Sequence, residues 1–127
     1  MNLTMSQILA LNEQKKAFEK LSLPIKTSYK LTKLFSSIDQ EINFYTNKMK
    51  EIITAYSQKD ENGAPIWSED GTYIKVVPEK MAECQSEVLQ LNALEIALPD
   101  ISFSIEDFGE VNLSPENLQV ILPFIRD

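Results

Sequence analysis

Apolar residues recur at a fixed interval through the middle of the chain. Leu31, Phe35, Ile38, Ile42, Tyr45, Met49, Ile52 and Tyr56 are separated by steps of 4, 3, 4, 3, 4, 3 and 4, which is the seam of one long helix. Pro24 suits the first turn of that helix, and neither glycine nor proline interrupts Ile25 to Asn62. The pattern predicts a helix over 24–58. Such a helix of about 33 residues would span about 50 Å, against a radius of gyration of about 14 Å for a compact globule of this chain length. Part of it is therefore expected to project, or to be covered by a second copy or a partner. Leu34, Phe44 and Ile53 lie off the seam. With the apolar tail residues Phe124 and Ile125 they form the candidate self-association surface.

The flanking segments change period. Thr4 and Gln7 have capping-box spacing ahead of Met5, Ile8, Leu11, Phe18 and Leu21, predicting a first helix over 5–22 with its stripe interrupted at Gln14 and Lys15. Ile66-Trp67 and Thr72-Tyr73-Ile74 flank Ser68-Glu69-Asp70-Gly71, the signature of a β-hairpin over 64–76. Pro78-Glu79 opens a third helix, 79–94, in which Val77, Met81, Cys84, Val88 and Leu91 repeat the heptad steps and make it the antiparallel partner of the long helix. Alternation at Ile96 and Leu98, and again at Ile101, Phe103 and Ile105, predicts strands within 95–113 that pair with the hairpin. Ser114-Pro115-Glu116 starts a short helix, 115–122, with Leu118, Ile121 and Leu122 facing inward. The expected architecture is one α+β, mainly α domain over 1–127: a long helix in an antiparallel helical hairpin, a small antiparallel sheet and a short C-terminal helix.

Composition then narrows the chemistry. With one cysteine and no histidine among 127 residues, an intrachain disulfide is impossible and the commonest general base is absent. Three glycines form neither common phosphate-binding loop pattern. Asp60, Asn62 and Asp70 do not follow the calcium-loop pattern. No catalytic residue, cofactor or metal is expected, and the chain is read as a non-enzyme. No apolar run approaches the ~20 residues that cross a bilayer, and the first residues lack the pattern of a signal peptide, so the expected location is the cytoplasm.

Charge is uneven. Residues 1–58 carry eight lysines and five acids, whereas residues 59–127 carry four basic residues and fourteen acids. Lys26, Lys30 and Lys33 share one face of the long helix and are the candidate anion-contact face. With a net charge of −7 and no arginine nearby, a solvated face answered by the acidic half is the stronger expectation, and nucleic acid is not an expected partner.

The run Leu23-Pro24-Ile25-Lys26-Thr27-Ser28-Tyr29-Lys30-Leu31, the turn Lys59-Asp60-Glu61-Asn62-Gly63, the proline-started helix and the closing Leu113-Ser114-Pro115-Glu116-Asn117-Leu118 resemble a group of small proteins encoded by tailed bacteriophages and prophages. The resemblance follows the order of elements over most of the chain and implies a viral origin without catalytic residues. The function expected is that of a self-associating interaction protein, a virion or assembly component acting as a homo-oligomer or on a phage structural protein. The alternative is an inhibitor or sequestering protein that binds a host protein or a small ligand. The location implied is the host cytoplasm or the virion.

Overall fold

Thr4 starts the helical part of the chain. Its hydroxyl accepts from the Gln7 backbone N–H at 3.2 Å, and the Gln7 side chain accepts from the Thr4 N–H at 2.9 Å. In this computed structural model, which describes residues 1–126, α1 (Met5–Glu13) buries Met5, Ile8 and Leu11, and α2 (Lys15–Glu19) buries Phe18. The single helix expected over 5–22 is thus two, broken at Gln14 where the apolar stripe lapses. Gln14 instead uses its side-chain oxygen to accept from Asn117 Nδ2 at 2.7 Å. The long helix, α3, runs from Ile25 to Ala55, 31 residues.

The residues form two compact units, one made of Met1–Ile42 together with the segment from Glu95 onward, the other of Asn43–Leu94. In the first unit, Leu31, Leu34, Phe35 and Ile38 of α3 are buried, as are Ile96, Leu98, Phe103, Phe108, Ile121 and Phe124 from the C-terminal segment. The Phe18 and Phe35 rings lie 6.1 Å apart. The sheet has two strands, β1 (Asn2–Thr4) antiparallel to β2 (Glu95–Ala97), with Leu3 opposite Ile96. This corrects the expected partner of β2: the N-terminal triplet pairs with it, and the hairpin does not. Both Leu3 and Ile96 point into the core, so the register buries both strands' apolar positions together.

The expectation of strands through 113 is also corrected. After a single bridge between Phe103 and Ile125, Ser104 and Asp107 cap a 3-10 turn over Ile105–Phe108. Gly109, at φ +64°, then redirects the chain. Ser114 Oγ accepts from the Asn117 N–H at 3.1 Å to open α5 (Pro115–Ile121), which packs on α1. Its inward residues are Asn117 and Ile121, followed by Phe124. Leu118 and Leu122, expected inside, are exposed, because the Asn117–Gln14 bond fixes the helix's rotation.

In the second unit, Ile52, Cys84 and Leu91 form the buried centre, with Tyr45, Met49, Tyr56, Val76 and Val88 packed around it. Those residues join the C-terminal part of α3 to α4 (Met81–Asn92), the antiparallel pair that the heptad steps predict. α3 ends at Ala55, earlier than expected, because Ser57 and Gln58 leave it to join the hairpin. Gln58 N donates to Lys75 O and Gln58 O accepts from Ile66 N, both at 2.8 Å. Ser57 Oγ and Lys59 Nζ each donate to the freed Thr54 carbonyl at 2.7 Å, a cap with a cation at the helix's negative end.

Candidate functional site

A strongly apolar concavity lies wholly within the second unit. Four residues of α3 at i, i+3, i+4 and i+7, Thr46, Met49, Lys50 and Ile53, form one wall. Cys84, Gln85, Val88 and Leu89 of α4 form another, and the hairpin closes the third side with Trp67, Tyr73, Ile74 and Val76. The cleft so enclosed has a volume of about 950 Å³. That lies at the upper end of the range for ligand pockets, about 300–1,000 Å³.

Local chemistry sets the hairpin wall. Lys75 N donates to Ile66 O and Ser68 N to Tyr73 O, each at 2.8 Å, and Trp67 bridges Ile74 across the arms. At the tip, Asp70 Oδ1 accepts from Ser68 Oγ at 2.6 Å, Thr72 Oγ1 at 2.8 Å and Thr72 N at 3.2 Å, while Gly71 takes φ +73°. Those bonds, that of Ser68 first, hold the Asp70 carboxyl down at about 2. The locked tip fixes the residues on either side of it, and Trp67 (53 % exposed) and Tyr73 (61 %) stand open to solvent with Leu89 (67 %) across from them. Three large apolar side chains at one mouth form an exposed hydrophobic patch of the kind that marks a binding surface.

The floor is different in character. Cys84 is buried there, and burial followed by the nearby Glu87 carboxylate pushes its thiol up, which keeps it protonated and unreactive. Burial and Glu87 likewise raise the Tyr56 phenol. The lining offers one ammonium, from Lys50, with hydroxyl and amide groups and an otherwise apolar wall. Such a surface can desolvate an apolar group and hold one anion. Among the described residues, no group of three or more histidine, cysteine or acidic side chains could hold a metal ion, and no helix is long and apolar enough to cross a membrane.

The structure separates the residues of the candidate self-association surface. Leu34 and Phe124 are each 0 % exposed, which corrects their expected place on the surface: the first unit covers α3 on more than its heptad seam. Ile125 is half-buried and held by its bridge to Phe103; Asp127, the last residue of that tail, lies outside the described residues. Ile53 lines the cleft, half-buried. Phe44, 46 % exposed, borders a different and smaller groove with Leu91 and Leu94. Trp67, Tyr73 and Leu89 were not among the site residues the sequence singled out. The available signal was Leu89, an apolar residue off the seam of its own helix.

The lysine face is partly spent inside the first unit. Lys30 Nζ donates to Ser102 O at 2.9 Å, approaches Asp107 Oδ2 at 3.5 Å and lies 5.5 Å from the centre of the Phe103 ring. This corrects its place in a free anion-contact face. The Ser104 backbone N–H, and after it Lys30, holds the Asp107 carboxyl below the usual range. Lys33 lies 5.7 Å from the centre of the Tyr29 ring, and Lys26 is exposed. No protein family, curated protein or solved structure matches the chain.

Proposed function

We propose that this protein is a phage-encoded, non-enzymatic binding protein that sequesters an apolar ligand in the cleft of its Asn43–Leu94 unit. The observation that carries this reading is the cleft itself: about 950 Å³, walled by aliphatic and aromatic side chains, with Trp67, Tyr73 and Leu89 exposed at its mouth. The viral origin rests on the sequence resemblance. A neutral apolar fluorophore, N-phenyl-1-naphthylamine, tests the cleft directly. It should bind one-to-one and accept energy from Trp67, the chain's only tryptophan, and Val88→Glu in a folded variant should abolish the signal. Absence of saturable binding to the native protein would refute the reading.

A second reading, self-association in an assembly, is favoured by a separate observation. Phe44 on α3 and Leu94, just past the end of α4, are 46 % and 42 % exposed and flank a groove floored by Ile52 and Leu91. Light scattering should then report an oligomer that Phe44→Glu reduces to a folded monomer. A native monomer at high micromolar concentration would exclude this reading and leave the cleft untouched.

A further inference from the structure

The charge of the cleft narrows its ligand. Residues 43–94 contain five lysines and eight acids, yet the lining includes no acid and a single cation, Lys50. The neighbouring Lys48 is paired with Glu51 at 3.4 Å, whereas no carboxylate lies within ion-pair distance of Lys50 among the described residues. Lys50 also borders the shallow outer groove beside Asn47, Glu51 and Thr54, which places it at the rim of the cleft and not on its floor. Thr46, one turn earlier on the same face, stands next to it. The arrangement is therefore an apolar trough with one unpaired ammonium at its edge, beside the Thr46 hydroxyl.

We infer that the cleft holds a single-chain amphiphile bearing one carboxylate, a free fatty acid, with its tail against Met49, Ile53, Trp67 and Val88 and its head group at Lys50. This rests on the sequestering reading above and names the ligand class of the same site. The charge pattern complements one anion, and the lining offers a cation no carboxylate. A neutral chain would leave Lys50 unused. A phosphate-rich ligand would face one ammonium, with no arginine and no glycine-rich loop to take its remaining oxygens. The thiol at the floor is protonated, so Cys84 itself presents no charge to the tail.

The test uses the full chain and Trp67 emission. Decanoate, dodecanoate, 1-decanol and decyltrimethylammonium are titrated below their micellar concentrations, and anionic phospholipid vesicles are titrated in parallel. Decanoate should bind about fivefold to tenfold more tightly than decanol, and the cation more weakly than either. Each added methylene should tighten binding about fourfold, so dodecanoate should exceed decanoate by about fifteenfold. Lys50→Met should abolish the preference for decanoate over decanol, and Lys50→Arg should retain it. Lys50 is exposed on a helix, so both variants should keep the native circular dichroism spectrum. Decanoate and decanol binding equally, or indifference to Lys50→Met, would overturn the carboxylate assignment and leave the cleft reading standing. Vesicle binding without saturation by monomeric decanoate would overturn it in favour of a lipid surface. If neither the amphiphiles nor the neutral fluorophore bind, both the assignment and the sequestering reading fall.

Discussion

Leu34→Ala separates a core role for this residue from a role in a surface. The side chain is 0 % exposed within the first unit. The substitution removes three carbon atoms, about 2.4 kcal/mol at ~0.8 kcal/mol per methylene. The cavity left behind raises the cost to about 3–4 kcal/mol, within the range seen for buried leucines. Against a total stability of about 5–15 kcal/mol this is a large loss. With a urea dependence of about 1.5 kcal/mol per molar, the midpoint of denaturation followed by far-ultraviolet circular dichroism should fall by about 2 M with an unchanged slope. Phe44→Ala, at a half-exposed site, should move it far less. A shift below about 0.5 M for Leu34→Ala would refute the enclosure of this side chain. A change in oligomer mass without loss of stability would return it to the surface.

Three further outcomes follow from individual contacts. Asp70 has a folded-state carboxyl held down at about 2, below its ordinary 3.8, so its stabilising contribution is complete above the ordinary value and disappears as pH falls through about 2; carbon-detected NMR titration should show this midpoint, and Asp70→Asn should remove the corresponding acid-side change in stability. Asn117→Ala should cost about 1–2 kcal/mol by leaving Gln14 without its partner, and a double-mutant cycle with Gln14→Ala should show coupling; strict additivity would exclude the bond as a determinant of α5 rotation. Gly109→Ala should cost about 1–2 kcal/mol in thermal unfolding although a methyl group there meets nothing within 4 Å, since the cost lies in the backbone at φ +64°.

The helical part of the fold was legible in the sequence because its signals are local. Heptad steps located α3 and paired it with α4, Thr4 and Ser114 marked helix starts, and Gly71 marked the hairpin tip. β1 was not legible: it has three residues, and its partner lies more than ninety positions away, so no periodicity could announce it. The burial of Leu34 and Phe124 was missed for a related reason. A two-faced helix is covered by segments distant in sequence, and a single-seam pattern marks only one face. The cleft was not legible: Ile53 was read as part of a self-association surface, and the hairpin aromatics only as strand residues. Its shape depends on how three separate segments meet, and Lys50 gained its meaning only once the acids were seen to lie elsewhere.

The division of the chain into a continuous unit and a unit made from its two ends has a consequence for synthesis. Residues 43–94 can assemble as soon as they have left the ribosome. The apolar faces of α1, α2 and the start of α3 must instead wait for Phe103, Ile121 and Phe124, the last about 80 residues behind Ile42. At about 5–20 residues per second that wait lasts about 4–16 seconds. During it, Met5, Ile8, Leu11, Phe18, Leu34 and Ile38 are without the C-terminal half of their final cover. Slowing translation past codon 95 should therefore lower the yield of folded protein more than slowing it within codons 43–94.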